Sequence, residues 1–178
     1  MNGTPMNIWK FLLVVSSLLL VACSQKVNSI KSTNPGQLDK NNGYLLFSVD
    51  SVVNLEQLNI AGAKNVHLGA EDLAKGKHYI LVDLPAGDYQ ITSAKLNHWW
   101  LIKLSDGFWN FSVRPGQISY IGELQLKGYS PELENRSSMA LQYLEQHHAD
   151  LLKKFSVRYS GPGEDHYFEF VESMRAAK

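Results

Sequence analysis

One cysteine in 178 residues leaves no disulfide to close within the chain and no thiolate cluster to hold zinc or iron–sulfur. A surplus of charge is equally lacking. Seventeen Lys and Arg balance seventeen Asp and Glu, whereas a nucleic-acid partner requires a cationic excess to meet its phosphates. Long apolar runs are missing too. The run that opens the chain, Phe11 to Ala22, has twelve residues and includes Ser16 and Ser17. A helix needs about 20 apolar residues to cross a bilayer, because each residue rises only ~1.5 Å. What is present is the length and the 44% hydrophobic content of one ordinary folded domain.

The opening run has the size of a signal-peptide core, with Lys10 as the positive charge before it and Met6 as an alternative start. It leads directly into Leu20-Val21-Ala22-Cys23. This sequence resembles the lipobox of bacterial lipoproteins, although an ordinary signal peptide or a buried apolar helix could contain the same residues. The resemblance implies removal of residues 1–22, a diacylglyceryl thioether on Cys23, and anchoring of the mature protein to a membrane. Ser24, rather than Asp, follows the cysteine, which by the same resemblance implies sorting to the bacterial outer membrane. Anchoring of this kind is stable, since each buried methylene contributes about 0.8 kcal/mol and more than one acyl chain is attached.

Residues 23–42 read as the lipidated cysteine and a flexible tether, because Ser24 to Asn42 has too few apolar side chains to offset the entropy of ordering. The remaining chain, 43–178, reads as a single β-rich domain. Strand-like composition marks Tyr44 to Val49, Lys77 to Leu84, Asp88 to Leu104, Phe108 to Val113 and Ile118 to Leu126, with weaker candidates at Leu55 to Ile60 and Asn65 to Leu68. Gly122 lies within the last strand and marks a bulge or a close backbone approach. Apolar residues recur at helical spacing at Leu141, Leu144, Leu151 and Phe155, which predicts a helix over about 138–155. Short strands are expected after it, at Phe155 to Ser160 and Tyr167 to Val171. Many short strands with one late helix predict a mainly β, antiparallel sandwich with a helical addition.

Two turn motifs support that fold. Leu84-Pro85-Ala86-Gly87-Asp88-Tyr89 and the segment from Val113-Arg114-Pro115-Gly116 to Tyr120 and Gly122 resemble the hairpins of prealbumin-like, immunoglobulin-type sandwich domains in uncharacterised bacterial envelope proteins. The resemblance covers Gly43 to about Tyr129. It implies a fold and carries no chemistry.

Residues suited to catalysis do not assemble into a pattern. His147 and His148 are adjacent, so on a helix they diverge by about 100° and do not share a metal. Glu145 does not complete a His-Glu-x-x-His motif, and no nucleophile elbow surrounds any serine. Glu123 is the one acidic residue on a central strand that merits attention, and a charge there is expected to face solvent. The chain therefore reads as a non-enzyme with neither metal nor cofactor.

Aromatic residues offer more. His98, Trp99, Trp100 and Trp109 form the candidate binding surface, with three tryptophans inside eleven residues. The simplest expectation buries them beneath the helix and between the sheets. Exposure would instead mark a protein, glycan or membrane contact, since indoles dominate interface hot spots and stack on sugars. The function expected from the sequence is thus a lipid-anchored interaction or assembly module of the cell envelope. Its partners would be the membrane, through the anchor, and another envelope protein. The alternative is a small-ligand or glycan binder built on the tryptophan region.

Overall fold

The computed structural model describes residues 24–31, 37–127 and 130–177. The expected signal peptide, residues 1–22, and the expected lipidation site Cys23 lie outside them. The first half of the described chain supplies β1 (Gln25–Val27), β2 (Asn42–Ser51), β3 (Gln57–Gly62), β4 (Val66–Gly69), β5 (Gly76–Pro85) and β6 (Gly87–Lys95). The second half supplies β7 (Leu101–Lys103), β8 (Asn110–Val113), β9 (Gln117–Leu126), β10 (Glu132–Glu134), α1 (Ser137–His147), α2 (Ala149–Leu152), β11 (Ser156–Tyr159) and α3 (Tyr167–Ala176). One sheet has the order β1-β4-β3-β6-β7, with β8 also on β6. The other has the order β10-β9-β2-β5, with β11 also on β9.

The expected β-sandwich with a C-terminal helical addition is the fold observed. Successive side chains of a strand face opposite ways, and β2 uses both sides. Leu45, Phe47 and Val49 enter the core between the sheets, where Ile80, Val82, Ile91 and Leu124 meet them. Tyr44 and Leu46 face a second core, formed with Leu81, Ile118, Tyr120, Leu144, Leu151 and Phe168 under the helices. Each such side chain contributes about 1.5–3 kcal/mol when fully buried. The molecule is therefore layered as sheet, sheet and helices, and the outer face of the first sheet has no helix against it in the packing just described.

Gly122 accompanies a bulge in the second sheet. Its φ is +122°, and a Cβ there would lie 2.8 Å from the carbonyl oxygen of Glu134. The β2–β9 register shifts at this level, from Leu46 opposite Tyr120 to Ser48 opposite Glu123. One residue is thus inserted, which turns Glu123 to the same side as Tyr120.

Several expectations change. The sheets are mixed rather than wholly antiparallel, since β1–β4, β2–β9 and β11–β9 run parallel. The predicted helix over 138–155 divides at His148, whose backbone leaves the helical region (φ −140°, ψ 39°) while its ring is buried. Tyr167 to Val171 is helix instead of strand. Its aromatic and branched content resembles a strand over five residues, but the Tyr167 N–H donates to Asp165 at 3.0 Å and Phe168 turns into the helix-side core.

The segment read as a flexible tether also begins as structure. β1 pairs with β4, the Ser29 N–H donates to Asp72 at 2.7 Å, and the Ile30 N–H donates to the Leu81 carbonyl at 2.7 Å. β4 would be an edge without β1, and β5 is the edge of its own sheet, so both offer main-chain groups for this segment to pair with. Polar composition alone does not reveal such pairing.

Candidate functional site: an aromatic hairpin tip

β6 and β7 are joined by a tight turn. Leu96 N–H donates to the Trp100 carbonyl at 2.9 Å, and Asn97 Oδ1 accepts from the N–H groups of Trp99 and Trp100 at 2.9 and 3.0 Å. Asparagine does this readily because its short amide reaches the backbone two and three residues on. With the backbone closed in this way, the side chains are turned outward. Trp99 is 85% exposed and Trp100 68% exposed, and Leu101 follows them on the surface. His98 is exposed as well, its ring edge-on to Trp99 with centroids 5.1 Å apart.

This outcome contradicts the expected burial of the tryptophans. The sequence suggests one long strand or two short ones over Asp88 to Leu104, and two are observed, but a strand at Trp99–Trp100 would have sent one of two adjacent indoles inward. The Asn97 turn removes that alternation. Trp109 behaves differently. It is 6% exposed and belongs to the core between the sheets, although it is counted in the candidate surface on sequence grounds. The tip therefore consists of His98, Trp99 and Trp100, with Leu101 added. Phe108, exposed beside Trp109, sits on the 3-10 turn that precedes β8.

Glu123 is the second departure. It was expected to face water and is 2% exposed. Its Oε2 accepts from the Ser48 hydroxyl at 3.0 Å and pairs with Lys77 Nζ, while Oε1 accepts from Gln125 Nε2 at 2.6 Å. Burial by itself would lower the Lys77 pKa, but the hydrogen bond and charge of Glu123 outweigh it and hold the ammonium above its ordinary value. Beyond Lys77, Tyr79 stacks on Tyr143 at 4.2 Å, and the Tyr143 hydroxyl lies 3.2 Å from His148 Nε2. The cluster joins the second sheet to α1. Both carboxylate oxygens of Glu123 are engaged within it, by Ser48 and Lys77 on one side and Gln125 on the other.

Other polar groups are spread out. Among the described residues no group of three His, Cys, Asp or Glu side chains could hold a metal ion. A cleft of about 660 Å³ lies at the other end of the first sheet, lined by Asp88, Gln90, Asn110, Ser112 and Arg114 among others. Asp88 there accepts from the Ser112 hydroxyl at 2.7 Å. Among the described residues no helix is long and apolar enough to cross a membrane.

Sequence reasoning missed the open outer face of the first sheet. Gln57 donates to Asn59 at 2.6 Å and Asn59 donates to Ser93 at 3.0 Å, forming a polar ladder across β3 and β6. Leu101 lies opposite Lys95 in the β6–β7 register and Lys103 opposite Ser93, so β7 extends that face toward the tip. The alternation Gln57, Asn59 against Leu58, Ile60 was the available signal. No known protein family, curated protein or solved structure matches the chain.

Proposed function

We propose that this protein is a lipid-anchored lipoprotein of the bacterial envelope, sorted to the outer membrane, whose sandwich serves as a non-enzymatic interaction or assembly module. Leu20-Val21-Ala22-Cys23 with Ser24 behind it supports the anchor and the sorting. The interaction reading is carried by the exposure of Trp99 and Trp100 at the apex of a turn that their own backbone closes. An indole has roughly 200 Å² to bury. At about 25 cal/mol per Å² each one forgoes several kcal/mol by staying in water. Only a contact outside the chain recovers that energy. The groups with chemical potential are engaged structurally, Glu123 with Lys77 and Ser48 above all. A glycan platform would have to rely on Trp99 and Trp100 without Trp109, which lies in the core.

Labelled palmitate tests the anchor. The native chain is expected to take the label, and Cys23→Ser to lose both the label and the membrane fraction. Equal retention of the two in membranes would sink the anchor. Photo-crosslinkers at Trp100 and Phe170, activated in the native envelope, test the module. A discrete adduct from at least one position is expected, and diffuse background from both would overturn the reading.

A further inference from the structure

We infer that the partner of the aromatic tip is the lipid surface itself, reached by laying the open face of the first sheet along the bilayer. The inference rests on the lipid-anchor reading for its orientation. Chain entry comes first. Ser24 Oγ lies 3.1 Å from His67 Nδ1, and the Gln25 N–H donates to the Asn65 carbonyl at 2.9 Å. Acyl chains on Cys23 would therefore be two residues from a strand already fixed in a sheet, a slack of only about 7 Å. The domain rides on the membrane instead of hanging from it.

Strand register then locates the tip. Gln25 pairs with Val66, Val66 with Ile60, and Ile60 with Ile91. Lys95 is four residues further along β6, about 13 Å, and three strand spacings separate β1 from β6, about 14 Å. Chain entry and the base of the tip thus lie near opposite corners of one sheet, roughly 20 Å apart by the same spacings, with the indoles beyond that. The face between them is continuous. Lys26 pairs in register with His67, His67 with Asn59, Asn59 with Ser93, and Ser93 with Lys103. Leu101 and Lys95 adjoin this row, and the helices pack against the other sheet.

The chemistry of this face suits headgroups and the layer beneath them. Lys26 pairs with Glu71 at 2.7 Å and Lys95 with Glu56 at 2.8 Å, so among the described residues of this row Lys103 is the lysine whose stem lies along the surface with its amine left to reach phosphate. Indoles favour the membrane–water interface, where the ring is half in hydrocarbon and its N–H stays hydrated. A convex tip carrying two indoles needs a complementary cleft in a protein or glycan partner, whereas a bilayer accepts it without one. The anchor adds proximity, since a second contact on the same membrane forms at high effective concentration. Met139, Phe170 and Met174, exposed on α1 and α3, then face away from the lipid and remain open to a protein neighbour.

The full chain reconstituted into phosphatidylethanolamine–phosphatidylglycerol vesicles, with and without brominated acyl chains, tests this. Subtracting the fluorescence of Trp99→Ala/Trp100→Ala from that of the native chain isolates the emission of the pair. The expected result is emission shifted to shorter wavelength, lost on bromination and unaffected by aqueous iodide. Lys103→Glu, which keeps both indoles, is expected to weaken the bromolipid quenching in these anionic vesicles. Long-wavelength emission quenched by iodide and spared by bromolipid would overturn the inference and leave the tip to a protein or glycan. Palmitate incorporation is scored separately. An unlabelled chain whose tip is quenched by bromolipid refutes the anchor alone, and a labelled chain quenched by iodide refutes the tip contact alone.

Discussion

The two sheets of this sandwich both carry polar side chains on their outer faces, and they are treated in opposite ways. On the second sheet, Ser48 and Glu123 are buried, so they bond to one another, and Glu123 also to the Lys77 amine at the rim. On the first sheet, the Gln57–Asn59–Ser93 ladder faces outward, where water or headgroups complete its hydrogen bonding. The indoles divide along similar lines. Trp109 fills the core between the sheets, while Trp99 and Trp100 stand outside it. Polarity of the residue does not decide the outcome. What covers it does.

Truncation of the tryptophans breaks this comparison most strongly. Trp109→Ala should destabilise the fold by about 3–5 kcal/mol, the range for emptying a large aromatic site in a core. Urea unfolding followed by circular dichroism measures it. A loss below 1 kcal/mol would mean that Trp109 does not support the core as described.

Next in size is the pair of buried Glu123 with the rim residue Lys77. Glu123→Leu leaves Lys77 and Ser48 without their acceptor, at a cost of about 3 kcal/mol. This is the low end for a broken buried pair, because the Lys77 side chain keeps 30% of its surface in water. Adding Lys77→Met should restore most of the loss, since an apolar replacement removes both desolvated charges. The same pair carries a pH dependence. The folded-state pKa of Lys77 is raised, so its stabilisation is complete below the ordinary lysine value and disappears as pH rises through the folded value. In strong alkali the native chain should therefore lose stability relative to the doubly substituted chain, which has no pair to titrate.

Gly122→Ala and Asp165→Ala probe the joints between layers. The first forces a side chain into a left-handed conformation and against the Glu134 carbonyl, a strain of about 1–3 kcal/mol. Asp165 accepts from the Tyr167 N–H at the start of α3 and from the Ser137 hydroxyl at 2.5 Å, and its loss should cost about 1 kcal/mol. Burial acts to raise the Asp165 pKa, but the hydrogen bonds from Ser137, Asn135 and Tyr167 outweigh it and hold the carboxyl below its ordinary value. Its contribution is thus present above the ordinary aspartate value and lost as pH falls through the lowered one. Acid titration of helicity should show Asp165→Asn differing from the native chain at neutral pH and converging with it in acid.

The strands were legible in the sequence because their alternation records burial on one side or both, as at Ile80, Val82 and Leu84. Gly122 was legible as a bulge for a similar local reason. Glu123 was not, since the inserted residue and the helix layer that together bury it come from different parts of the chain. The Trp99–Trp100 exposure depended on one amide, Asn97, whose turn interrupts a strand-like run. Docking of β1 was hidden because main-chain pairing leaves no mark on composition.

The smallest expected effect is the sharpest test of the comparison. Trp99→Ala and Trp100→Ala should each change stability by less than about 0.5 kcal/mol, as surface substitutions do when they remove no buried contact. Asn97 and not the indoles holds the turn, so the backbone has no reason to move. The double variant should unfold in urea with the native midpoint and slope, while Trp109→Ala unfolds far earlier. Loss of two large apolar side chains without loss of stability means that their energy is not spent on folding. It is then available for a surface outside the molecule, and a large drop in stability would instead show that the tip packs against its own domain.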